Sequence, residues 1–77
     1  MAISGKHERP GVRVILNGEE HLLPAGTTIL EFLQRLNVPP VGVAVAVNYE
    51  VVQKTSLETT LIHEGDRIEI IRAVQGG

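Results

Sequence analysis

Only one stretch of this chain repeats its apolar residues at a helical spacing. In "TILEFLQRL" (28–36), Ile29, Leu30, Leu33 and Leu36 fall on one helical face, and Phe32 widens it. Thr28 stands three residues before Glu31, the capping-box arrangement in which each side chain accepts a hydrogen bond from the other residue's backbone N–H. Asn37 marks a stop, and "VPP" (38–40) cannot continue a helix. One such helix in 77 residues cannot make a bundle. Its apolar face must be buried on a surface built by the rest of the chain.

The rest of the chain reads as strands. "VRVIL" (12–16) is short and β-branched, "NG" (17–18) is a strong hairpin signal, and "EEHLL" (19–23) is the returning strand, ended by Pro24, Ala25 and Gly26. "VAVAV" (43–47) alternates large and small side chains, which puts Val43, Val45 and Val47 on the core face. Asn48, Tyr49 and Glu50 form a turn, and Val51 and Val52 begin a short edge strand. "KTSLETT" (54–60) is polar and reads as irregular; "EGD" (64–66) reads as a turn. "RIEIIRAV" (67–74) is the last strand, with Ile68 and Ile70 inward and Ile71 outward, next to Arg72. The expected architecture is α+β, a mixed sheet of four to five strands with one covering helix. The domain spans 12–74, after an N-terminal extension (1–11) and before a flexible tail (75–77).

Composition removes several classes of function. Without cysteine there is no disulfide, thiolate metal site or cysteine nucleophile. Phe32 and Tyr49 are the only aromatics, so the core is aliphatic. A net charge of -2, no basic run and two aromatics argue against nucleic-acid binding. No apolar stretch approaches the length of a membrane span. The first eleven residues hold Lys6, His7, Glu8 and Arg9 and no apolar signal-peptide core, so the expected compartment is the cytoplasm. His7, His21 and His63 lack ligand spacing and read as surface histidines; no metal site is expected. Asp66 reads as a turn-former and Glu31 as a capping residue.

Taken together, "LNGEE", "TTILEFLQRL", "VAVAVNYEVV" and "EGDRIEIIRAVQGG" resemble the β-grasp, or ubiquitin-like, fold, and within it the ThiS family, sulfur carriers of thiamine biosynthesis. The resemblance covers 12–77. Tyr49 and the N-terminal extension depart from the family pattern. The small subunit of molybdopterin synthase also ends in Gly-Gly, but such chains carry a proline pair before the tail, and "RAVQGG" has none.

The resemblance implies a chemistry for Gly77. A terminal carboxylate is ionised at neutral pH and inert as an electrophile. Family membership implies that an E1-like adenylating enzyme, using ATP and magnesium, converts it to an acyl-adenylate. Sulfur from a donor protein then displaces AMP to leave a thiocarboxylate, which a thiazole synthase uses. The carrier has no cofactor of its own and is a co-substrate rather than an enzyme. Gly76, Gln75 and Val74 would thread a partner's active site, since glycine accepts any φ and fits a narrow channel. Strand alternation also suggests an apolar patch near the tail, made by Ile71, Ile15, Ala44 and Ala46 with Arg72 beside it, that docks on partners. A free monomer suits a protein that visits several partners. A ubiquitin-like modifier would share the adenylation step but end in protein conjugates, and a plain β-grasp interaction module would need no free terminus.

Overall fold

The computed structural model describes residues 11–72. The extension before Gly11, including His7, and the tail residues Val74, Gln75, Gly76 and Gly77 lie outside the described residues, as does the end of the expected 67–74 strand.

β1 (Gly11–Leu16) and β2 (Glu19–Pro24) form the first hairpin. α1 (Ile29–Arg35) follows. β3 (Val43–Val47) and β4 (Glu50–Val52) form a second hairpin, and β5 (Arg67–Arg72) closes the described chain. The sheet order is β2-β1-β5-β3-β4. β5 therefore lies in the middle, parallel to β1 (Leu16 beside Ile68) and antiparallel to β3 (Val45 beside Ile70, Ala44 beside Ile71). The two hairpins flank a strand that neither can supply.

The helix forms because both ends are satisfied. At its start the Glu31 N–H donates to Thr28 Oγ1 at 3.1 Å, and the Thr28 N–H donates to Glu31 Oε1 at 3.0 Å. The next orphan donors, the N–H groups of Ile29 and Leu30, reach the carbonyls of Thr60 (3.0 Å) and Leu57 (2.9 Å). At its end Asn37 takes φ 59°; its N–H donates to the Gln34 carbonyl and that of Val38 to the Leu33 carbonyl. This is a Schellman cap with asparagine in the left-handed position. Ile29, Phe32 and Leu33 are buried against the sheet.

The core contains Val14, Leu16, Leu23, Ile29, Phe32, Leu33, Val45, Leu57, Ile62 and Ile68. The strand parities expected from the sequence agree with this arrangement: Val14, Leu16, Val45 and Ile68 are buried, and Val43, Val47 and Ile70 pack against them. The reading of residues 54–60 as merely polar and irregular is incomplete. Lys54–Ser56 is a turn of 3-10 helix, and Leu57 and Ile62 are core residues. Glu50 belongs to β4 rather than to the preceding turn. β1 gains Gly11 and β2 gains Pro24, which pair with each other.

Candidate functional site

The site begins where β5 delivers the chain to residues 73–77, and two asparagines fix that strand. Both lie at positive φ in hairpin turns: Asn17 (47°) with Gly18 (89°) between β1 and β2, and Asn48 (52°) with Tyr49 (71°) between β3 and β4. Two consecutive positive φ values define the turn whose twist matches a hairpin.

Each asparagine also grips β5. Asn48 holds the start of the strand: its backbone N–H donates to the Arg67 carbonyl at 2.8 Å, and its Oδ1 accepts from the Arg67 N–H at 3.0 Å. Its Nδ2 donates to Asp66 Oδ1 at 3.0 Å. Asp66 Oδ2 in turn accepts from the His63 N–H at 2.8 Å, so Asp66 is a turn-former. Asn17 holds the other end. Its backbone N–H donates to the Ile68 carbonyl at 3.0 Å, its Oδ1 accepts from the Ile70 N–H at 3.0 Å, and its Nδ2 donates to the Ile70 carbonyl at 3.3 Å.

The outer face of the sheet, away from α1, carries most of the expected docking residues, though not as one patch. Ile71 (59% exposed) faces Ala44 across the β3–β5 ladder, and Ala46 follows on the same face of β3. Val51, 68% exposed and directly opposite Ala46, extends this patch and was not anticipated. Ile15 does not join it. It pairs with Arg67 and Glu20, four residues back along β5, roughly 13 Å from Ile71 at the usual rise per residue. Glu69, opposite Ala46, interrupts the surface between them. Arg72 is also misplaced in the sequence reading. It pairs with Val43, whose side chain packs on the core, so alternation carries Arg72 to the helix side of the sheet.

Polar contacts surround this face. Arg13 Nε lies 3.2 Å from Glu20 Oε2, both exposed, a pair of small energetic weight. The Arg67 guanidinium lies 5.8 Å from the centre of the Tyr49 ring. On the helix side, His21, opposite Val14, is half-buried with its ring edge-on to Phe32 at 5.8 Å; His63 is exposed. Among the described residues, no group of three or more His, Cys, Asp or Glu side chains is arranged to hold a metal. No helix among them is long and apolar enough to cross a membrane.

A mixed five-stranded sheet with a central parallel pair and one helix packed across it is the β-grasp, ubiquitin-like class of fold. Among the proteins this chain resembles are proteins of thiamine biosynthesis. The crystal structure of the thiamine biosynthesis protein ThiS from Geobacter metallireducens superposes with a TM-score of 0.74 at 25% identity, covering 86% of this chain and all of that one. The model of the ThiS family matches residues 11–77, and the chain belongs to that family. The sulfur carrier protein ThiS of Thermus thermophilus is 36% identical over 64 residues, which is 83% of this chain and 98% of that one. A thiazole synthase of Paramagnetospirillum magneticum is 35% identical over 66 residues, 86% of this chain and 20% of that protein. The chain thus spans about a fifth of the length of the thiazole synthases it matches.

Proposed function

We propose that this protein is a sulfur carrier for thiazole formation in thiamine biosynthesis, with the Gly77 carboxylate as its working group. The observation that carries the reading is that the ThiS family match runs through residue 77, so the final glycines fall inside the family pattern. An E1-like enzyme attaches AMP from ATP to the Gly77 carboxylate and releases pyrophosphate. Sulfide-level sulfur delivered by a donor protein attacks the acyl carbon and displaces AMP, leaving a thiocarboxylate whose anion is a soft nucleophile. The protein supplies no acid, base or metal to these steps. It supplies reach, through Val74, Gln75 and Gly76, and a surface by which partners hold it.

A thiazole synthase is the favoured acceptor, because chains of that name contain a stretch similar to this one. Ile71, Ala44, Ala46 and Val51 form the docking patch, and a monomer leaves it free for each partner in turn. Ile71→Ala is expected to keep the fold, since the side chain is more than half exposed, and to raise the KM of adenylation. Unchanged activation kinetics would remove Ile71 from the docking surface.

The first test is the intact mass of the full chain after incubation with ATP, magnesium, a sulfide source and cell extract. A gain equal to the exchange of one oxygen for sulfur is expected, and it must vanish when Gly77 is deleted or a residue is added after it. Transfer of the chain onto larger proteins instead would mark a modifier and overturn the carrier reading.

A further inference from the structure

The β1–β5 ladder contains a substitution of side chain for backbone. Along a parallel pair the bonds continue as long as both strands do. β1 ends at Leu16, and the chain turns away at Asn17 with φ 47°. β5 continues to Arg72. The next rung would require a carbonyl to accept from the Ile70 N–H and an N–H to donate to the Ile70 carbonyl. The carboxamide of Asn17 provides both, at 3.0 and 3.3 Å. A primary amide carries the same donor and acceptor as a peptide group. The side chain therefore completes the rung that the turning backbone abandons.

We propose that Asn17 is a positioning residue for the C-terminal working group. It fixes the direction in which the chain leaves the sheet after Ile70. Beyond that rung, the ladder with β3 alone pairs Ile71 and Arg72. The requirement is specific to asparagine. Aspartate keeps the acceptor and loses the donor, glutamine is one methylene too long, and glycine tolerates the turn but offers neither group. This inference rests on the carrier reading for its kinetic part, because only an activated terminus makes an exit direction matter.

The test compares the full-length protein with its Asn17→Gly, Asn17→Asp and Thr28→Ala variants. Glycine suits the turn, so Asn17→Gly folds. Exchange of its Ile70 amide with solvent is expected to be about 2- to 10-fold faster, and the ¹⁵N order parameter of the Arg72 amide to fall. Asn17→Asp retains protection at Ile70, because Oδ1 is still there to accept. In adenylation by an activating enzyme, Asn17→Gly is expected to raise KM by about 3- to 10-fold with kcat unchanged, as when only a fraction of molecules is competent to bind. Thr28→Ala weakens the fold at another element and leaves KM where it was. Unchanged exchange and order at Ile70 and Arg72 in Asn17→Gly would overturn the proposal, as would an equal rise in KM in Thr28→Ala. Failure of the wild-type chain to be adenylated at all would instead count against the carrier reading, and the exchange and relaxation data would still decide what Asn17 does.

Discussion

Asparagine stands at the first position of both hairpin turns, and each copy meets a backbone demand and a side-chain demand together. The backbone demand is a positive φ, which asparagine tolerates better than other side-chain-bearing residues. At the second position Gly18 meets it without strain, but Tyr49 does so at φ 71°. A left-handed conformation costs a bulky residue roughly 1–2 kcal/mol. The Arg67 guanidinium over the Tyr49 ring offsets part of that, about 0.5–1 kcal/mol at an exposed site. Tyr49→Gly is therefore expected to stabilise the fold by about 0.5 kcal/mol and raise Tm by about 2–4 °C, measured by thermal unfolding. A fall in Tm would mean that the ring contact outweighs the strain. "NG" was readable as a turn because its φ requirement is local. The bonds from Asn17 to Ile70 span 53 positions, and no local pattern announces them.

A helix of seven residues cannot hold itself together in water. α1 persists because Thr28, Glu31 and Asn37 cap it and because the carbonyls of Leu57 and Thr60 take its first free N–H groups. Thr28→Ala is expected to cost about 0.5–2 kcal/mol, read from the shift of the urea midpoint. Leu57→Ala is expected to cost about 2–5 kcal/mol, because Leu57 is buried beneath the helix although its sequence neighbours are polar. A loss below about 1 kcal/mol would show that residues 54–60 do not belong to the cooperative core. The helix was legible because its face repeats and its caps are written within ten residues, Thr28 to Asn37. Leu57 and Ile62 were not, since an isolated apolar residue in an irregular segment has no period to reveal it. The site divides in the same way. Ile71 and Ala46 followed from alternation, whereas the separation of Ile15 and the turning-away of Arg72 depend on register between strands far apart in sequence.

The two hairpins meet only through β5, so the sheet forms as one unit or not at all. A domain of this size has about 4–12 kcal/mol of stability, and fluorescence-free probes such as circular dichroism and amide signals should report one coincident urea transition. Non-coincident transitions would mean that a hairpin survives alone. Removing residues 67–77 is expected to leave the chain unfolded, because Ile68 is fully buried and both of its neighbouring strands lose their pairing. The middle strand is also the one the ribosome makes last among the described elements. A product of premature termination or proteolysis that stops before Arg67 is expected to have no sheet, and hence no outer face joining Ile71 to Ala44, Ala46 and Val51. Copies that lose the glycines through such cuts are therefore expected to be unfolded chains rather than folded competitors of the intact one.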